Sequence, residues 1–434
     1  MALLPFIGYA QQSDNTSEYK KRVLETTEID FLSSYYSQDG ENAAVSGGIG
    51  TENLTDATGA IIVSIPLNDD DILTIDAGVS AYTSASSSNI NPFDGKGVAN
   101  AFVASSGASR KDVWSNFTAS YSHSSDNRNQ IWSGKFSVSS EYDYFSLGGG
   151  ASFTRLFNEK NTELSLNASV FLDTWSTIYP VELRKPGSGN SNEEDDDHES
   201  FNIADYTITG NPDYHPLFTP FNSTSRNSYT LGLGVSQILS KKLQIALLAD
   251  FIVQDGLLST PFQRVYFADV EDSFIENFHL ADDVERLPDS RFKVALGSRL
   301  HFYINEVFVL RTYYRYYYDD WGILSHTGSL EIPVKITPHL TLYPSYRYYN
   351  QTAADYFAPY NQHLSTEKYY TSDYDLSKYH SNQFGFGVSY TDVFTTTHIG
   401  RVAFKTIDLK YNRYERNSSF SSGMFLLGVK FIVD

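Results

Sequence analysis

Alternation of apolar and small polar residues recurs along nearly the whole chain, and it limits the fold more than any other feature of the sequence. The runs are about 9–13 residues long, the length a tilted strand needs to cross a bilayer. In 143–154, Phe145, Leu147, Gly149, Ala151 and Phe153 fall on one face, with Ser146, Gly148, Gly150, Ser152 and Thr154 on the other. The runs 163–173 and 229–236 repeat the pattern, with Leu164, Leu166, Ala168, Val170 and Leu172, then Tyr229, Leu231, Leu233 and Val235, on the apolar side. A soluble sandwich alternates too, but with long charged residues on its wet face. Here the polar face is Gly, Ser, Thr and Asn, as in strands with lipid on one side and a lumen on the other. No apolar run approaches the ~18 residues of a transmembrane helix. The expected fold is therefore all-β: a transmembrane antiparallel up-and-down β-barrel of about 16 strands, with 14–18 also compatible.

Strands are placed near 23–36, 58–67, 71–83, 112–122, 130–142, 144–156, 162–176, 226–238, 242–254, 290–302, 307–318, 324–336, 340–351, 383–390, 403–414 and 421–432. Every second connection is then short and built from turn residues, as at Asn68-Asp69-Asp70, Ser125-Asp126-Asn127, Asn158-Glu159-Lys160, Ser240-Lys241, Asn305-Glu306 and Thr337-Pro338-His339. The connection near 391–402 is the long member of that set. The other set holds all the long segments, roughly 38–57, 84–111, 177–225, 255–289 and 352–382. Short periplasmic turns, long extracellular loops and both termini in the periplasm follow from that rhythm.

Composition agrees. The chain carries 32 Tyr and 29 Phe, a supply that suits aromatic girdles at the two membrane interfaces. A formal net charge of −20 argues against a nucleic-acid partner. The absence of cysteine excludes disulfides and thiolate metal sites. Residues 1–10 read as the remnant of a signal peptide, with Gly8 and Ala10 before a cut at Gln11; 11–22 would be a periplasmic segment and 23–434 the barrel.

The most distinctive text lies in 312–359: Tyr313-Tyr314-Arg315-Tyr316-Tyr317, Asp320-Trp321-Gly322-Ile323, Ser325-His326-Thr327, Pro344-Ser345-Tyr346-Arg347-Tyr348-Tyr349 and Gln351-Thr352-Ala353-Ala354-Asp355-Tyr356-Phe357. It resembles the Bacteroidota outer-membrane family called domain of unknown function 3570 (DUF3570). The resemblance implies an outer-membrane barrel without an assigned activity. It also implies a lipoprotein partner and a link to a flavin-transfer redox system, through neighbouring genes.

Strand parity describes the interior. With Phe292, Val294, Leu296, Leu300 and Phe302 toward lipid, Arg291, Lys293, Arg299 and His301 turn inward. The same reasoning turns Arg311, Tyr313, Arg315 and Tyr317 inward, then Glu331 and Lys335, then Tyr343, Arg347, Tyr349 and Gln351. Inward charges elsewhere are mostly acidic: Glu28, Asp30, Asp76, Asp173, Asp250 and Asp408. The expectation is a porin-like channel for small anionic or zwitterionic solutes with a basic lumen wall. The alternatives are a closed barrel acting as scaffold or receptor for a lipoprotein or envelope partner, and a barrel enzyme.

Other signals carry less. Asp195, Asp196 and Asp197 form a carboxylate cluster that is a candidate for Ca²⁺, but the run lacks the Asp-x-Asp-x-Asp-Gly spacing of a calcium loop and reads more simply as a solvated acidic loop. Arg315, Asp320, His326, Arg347, Gln351 and Asp355 collect near one extracellular end, as a ligand site or as a polar network that fixes the loops. Trp321, Tyr314, Tyr316, Tyr318, Tyr346 and Tyr348 read as an interfacial girdle. No Gly-x-Ser-x-Gly, His-Glu-x-x-His, phosphate loop or dinucleotide fingerprint occurs, so neither a cofactor nor catalysis is expected.

Overall fold

A sheet with one apolar and one polar face, long enough to meet itself, loses its exposed edges by closing. A computed structural model, which describes residues 22–83, 112–184 and 203–433, shows this closure. The main sheet has 18 hydrogen-bonded segments; Val334–Lys335 continues one strand and His398–Ile399 extends a turn, which leaves sixteen strands in the wall. In chain order these are β1 (Thr27–Asp39), β2 (Leu54–Pro66), β3 (Asp71–Tyr82), β4 (Asp112–Ser124), β5 (Gln130–Ser140), β6 (Tyr144–Phe157), β7 (Thr162–Trp175) and β8 (Ser225–Ser240). There follow β9 (Leu243–Gly256), β10 (Ser290–Tyr303), β11 (Val309–Asp319), β12 (Leu324–Glu331), β13 (Leu340–Gln351), β14 (Tyr379–Thr391), β15 (Val402–Arg416) and β16 (Ser421–Val433). Each strand pairs antiparallel with the next, and β1 closes on β16 from Thr27↔Val433 to Asp39↔Ser421.

Side chains make the periplasmic turns. Asn68 Oδ1 accepts from the N–H groups of Asp70 and Asp71, and Asn305 Oδ1 from those of Val307 and Phe308. Thr337 Oγ1 does the same for His339 and Leu340. Outside, Phe31, Ile61, Phe117, Phe136, Leu247 and Phe386 are exposed side by side with many other apolar residues. Such a surface needs lipid to cover it. The chain is an outer-membrane β-barrel.

All sixteen expected strands form, with displaced ends. β1 runs to Asp39 rather than 36, β2 starts at Leu54 rather than 58, and β14 starts at Tyr379 rather than 383. The added residues, among them Ser37, Gln38, Thr55, His380 and Asn382, are polar, so hydropathy stops marking the strand before the ladder ends. The strand expected over 324–336 is interrupted after Glu331, because Pro333 has no N–H to donate. Its register survives: Glu331↔Ser345 is followed by Val334↔Leu342.

The apolar core lies in the extracellular loops rather than between wall strands. Val181, Ile275, Phe278 and Leu280 form one cluster; Leu183, Tyr266, Ala281 and Val284 a second; Val265, Phe267 and Tyr370 a third. The loop after β1 meets the loop after β9, although those strands stand half a barrel apart. Arg264 Nη1 donates to Val45 O at 3.3 Å, and a side chain on Gly47 (φ 77°) would strike the Tyr266 ring. Backbone pairing of Arg286 with Tyr370 joins the loops after β9 and β13. Inward residues beneath these loops are buried, Ala295 to 2%, Ser381 to 2% and Gln351 to 8% exposure. Further down the same strands, Arg299, His301 and Arg347 are exposed. Among the described residues, the loops thus form a plug that fills the extracellular half of the bore and leaves the periplasmic half open. The expected leader and most of 11–22, as well as Asp195, Asp196 and Asp197, fall outside the described residues.

The seam makes a sharp test of register, since slippage by one residue flips every side chain through the wall. The chain has no native cysteine. Ser33→Cys with Leu427→Cys, which are paired across β1 and β16, should cross-link with a short thiol reagent in the folded barrel. Ser33→Cys with Leu426→Cys, which face opposite sides, should not. Equal cross-linking of both pairs contradicts the closure described.

Candidate functional site

The open half of the bore carries a cavity of about 360 Å³ whose inward lining includes Arg299, His301, Arg311, Glu331, Arg347 and Lys410. Pairing explains why they converge. Arg299↔Tyr313, Tyr313↔Ser329 and Ser329↔Arg347 run in one row across β10–β13, so two arginines flank a phenol and a serine. His301↔Arg311 and Arg311↔Glu331 form the next row. Glu331 is shared by Arg311 at 3.0 Å and Lys410 at 3.6 Å. Among the described residues no carboxylate pairs with Arg299 or Arg347; Arg299 instead lies over the Tyr313 ring at 5.6 Å. Three guanidinium groups and one ammonium therefore face a single carboxylate.

Lys410, Gln383 and Asn412 were not anticipated at this wall. The sequence carries the signal, because Asp408 turns inward and Lys410 lies two residues on. The other candidates are spread. Arg315 lies half-buried against Tyr317, with 5.9 Å between guanidinium and ring. Lys335 is exposed near the periplasmic edge. Arg291 and Lys293 share the inward face but sit at the base of the plug. Arg291 binds Asp319, which is fully buried and also accepts from the Tyr317 hydroxyl and from the N–H groups of Trp321 and Ile323. Gln351 is likewise sealed in, donating to Asp375 O at 2.9 Å and Ser377 O at 2.6 Å and accepting from Tyr349.

Trp321 needs correction. It is 3% exposed, packs with Leu258 and Leu287 and lies over the Arg291 guanidinium at 4.2 Å, so it belongs to the plug and not to the girdle. The residue sits in the turn after β11, where strand parity no longer applies. Tyr314, Tyr318, Tyr346 and Tyr348 are exposed on the outer wall. The polar group near the extracellular end does not come together as one site. Asp320 accepts from Phe292 N at 3.0 Å, and Asp355 crowds Gly322 (φ 90°), where a side chain would not fit. His326 hydrogen-bonds to the Tyr314 hydroxyl at 2.7 Å on the outward face.

Charge is handled differently inside the plug. Arg264, 2% exposed, forms a two-pronged contact with buried Glu182, which ties the loop after β7 to the loop after β9. Glu285 is fully buried and accepts from Thr260 N and the Thr371 hydroxyl. Burial, reinforced by the charge of Asp373, pushes its pKa up to about 8. A larger hollow of about 540 Å³ lies outside β1–β3, between Phe31, Ile61, Val79 and Leu427. Its walls are apolar and face lipid, so it belongs to the membrane contact.

A profile of the family described as "Protein of unknown function (DUF3570)" matches residues 1–419. No curated protein matches the chain. Among solved structures, "Bacterial polysaccharide outer membrane secretin" aligns with a TM-score of 0.44 at 8% identity, over 94% of this chain and 98% of that one. The outer membrane protein opdK from Pseudomonas aeruginosa aligns at 0.38 and 8% identity, over 94% and 99%. A BenF-like porin from Pseudomonas fluorescens Pf-5 aligns at 0.39 and 9% identity, over 94% and 100%. Identities this low carry no substrate or partner across.

Two outcomes are expected for the plug. Arg264→Ala strands Glu182 in a buried site and should cost the plug about 3–5 kcal/mol. Trypsin should then cut within 257–289 while the wall still resists. The second outcome concerns pH. A carboxyl with an ordinary value of 4.5 that is held near 8 binds its proton more tightly in the packed plug. Plug stability should therefore fall as pH rises from about 4.5 to about 8 and level off above. Burial also raises Asp282 to about 6 and Asp373 to about 7, so hydrogen exchange of 257–289 should show that slope and Glu285→Gln should reduce it.

Proposed function

We propose that this chain, which belongs to the DUF3570 family, is a porin-like channel whose basic vestibule selects small anionic or zwitterionic solutes. One observation carries the reading: Arg299, Arg311 and Arg347 are exposed to an open lumen in which Glu331 is the one carboxylate of the cavity lining. Charge rings of this kind set selectivity in wide pores. A single guanidinium about 4 Å from a monovalent anion contributes about 1 kcal/mol in water-like surroundings, and more where the bore narrows. The net charge of −20 does not oppose this, because solvent screens charges more than about 8–10 Å away. Solute reaches the vestibule from outside only past the plug, so passage depends on how the loops are packed.

A second reading, the closed barrel that serves as scaffold or receptor for a lipoprotein or other envelope partner, draws support from the plug itself. Continuous packing from Val45 to Arg264 and Glu182 crosses the mouth and would stop solutes outright. Catalysis stays a minor reading, because His326 is bonded to Tyr314 rather than to an acidic partner.

Planar-bilayer recording in a potassium chloride gradient separates the two main readings. The channel reading predicts a reversal potential of anion-preferring sign, shifted several-fold in permeability ratio toward non-selective by Arg299→Ala/Arg311→Ala/Arg347→Ala. Silent bilayers favour the scaffold, and an unchanged reversal potential in the triple variant removes the basic wall from selectivity.

A further inference from the structure

Within the vestibule, one patch of wall combines a cation and a buried acceptor that find no partner among the described residues. Glu331↔Ser345, Ser345↔Gly385 and Gly385↔Asn412 form one inward row across β12–β15. Arg347↔Gln383 lies in the next inward row toward the plug, and Gly387↔Lys410 in the next toward the periplasm. Each of these groups is therefore no more than one strand and one row from Ser345 or Gly385. Apart from the glycines, all line the same cavity.

Glycine on β14 makes the hollow. A side chain at Gly385 would strike Ser345 Oγ and Asn412 Oδ1, which lean over it from the two flanking strands. At Gly387 the stem of Lys410 runs past, with Cγ 3.6 Å from where a side chain would begin, and its ammonium reaches Glu331. Asn412 Oδ1 thus lies over β14, one strand and one row from the Cα of Arg347. That is about 5 Å across and about 7 Å along the sheet. A short-chain solute bridges such a span, and a single inorganic ion does not.

The two unpartnered groups set different requirements. Glu331 already serves Arg311 and Lys410. Arg347 is exposed and has no ion-pair or hydrogen-bond partner among the described residues. Its fork suits a carboxylate, which accepts two parallel N–H bonds. Asn412 is 7% exposed, and its Oδ1 has no hydrogen-bond partner among the described residues. A buried oxygen of this kind needs a donor. A carboxylate brings no proton, so the ligand needs an O–H or N–H group as well. An ammonium would bring one but would also meet Lys410. A hydroxyl meets no such conflict, and Gln383 and Ser345 offer further donors and acceptors. The volume of about 360 Å³ is that of a small-molecule site.

We propose that this hollow is a subsite for a hydroxylated monocarboxylate of sugar-acid size, with its carboxylate on Arg347 and a hydroxyl donating to Asn412 Oδ1. The subsite names the solute class within the channel reading and rests on that reading for its role in transport. Binding itself requires only access from the periplasmic half.

Isothermal titration of the full chain in detergent tests it with the six-carbon probes gluconate, hexanoate, sorbitol and 6-aminohexanoate. Gluconate should bind several-fold more tightly than hexanoate, which lacks the hydroxyls, than sorbitol, which lacks the carboxylate, and than the zwitterion. Asn412→Leu should lower gluconate to the level of hexanoate, and Arg347→Gln should lower it to the level of sorbitol. Asn412→Asp keeps an acceptor but repels a carboxylate, so it should weaken gluconate several-fold and spare sorbitol. The variants should keep the heat-modifiable gel migration of a folded barrel. Equal binding of gluconate and hexanoate overturns the proposal. So does equal binding of gluconate and 6-aminohexanoate, or a gluconate preference that survives Asn412→Leu. Silent bilayers with selective gluconate binding would remove transport and keep the subsite. Anion-selective conductance without a gluconate preference would remove the subsite alone.

Discussion

In hydrocarbon no water is available to satisfy a backbone N–H or C=O, so a spanning sheet must pair every strand on both sides. The β1–β16 seam meets that demand, and the remaining architecture follows from it. Closure with sixteen strands produces a bore that wall side chains alone do not fill. Something else must fill it or it stays wet, and this chain does some of each. Loops after β1, β7, β9 and β13 fold inward over an apolar core of their own, while the periplasmic half keeps exposed cations.

The plug behaves as a small protein inside a larger one. The wall shows lipid an apolar surface and has little interior. The plug buries Val265, Phe267, Phe278 and Leu280 almost completely, along with the Arg264–Glu182 ion pair. A buried pair of this kind contributes little to net stability compared with an apolar filling, but it penalises any arrangement that separates its members. Since Arg264 also reaches Val45, it fixes how three loops meet.

The wall was legible in the sequence because a two-residue period records which face each side chain uses, and because turn residues such as Asn68 and Asn305 announce themselves. Parity alone places Arg299, Arg311 and Arg347 on one face. The plug was not legible. Its residues come from segments far apart in the chain and follow no period: Val181 meets Phe278, and Phe267 meets Tyr370. Trp321 shows the boundary clearly, since strand parity carried past the end of β11 assigned it to lipid, whereas the turn delivers it into the plug. The vestibule was legible in part. Parity turns Arg299 and Arg347 inward, where no carboxylate among the described residues pairs with them, while the pairing of Arg291 with Asp319 depends on the turn that buries Asp319.

The described residues divide the bore, plugging it on the extracellular side and leaving it open on the periplasmic side. Thiol accessibility measures this directly in a chain without native cysteine. Single substitutions Ser329→Cys and Arg347→Cys, in the vestibule, and Ser325→Cys and Ser381→Cys, beneath the plug, all lie on the inward face. In folded protein, a charged membrane-impermeant maleimide should label the first two quickly and the second two slowly. Equal labelling at all four positions would contradict the divided bore.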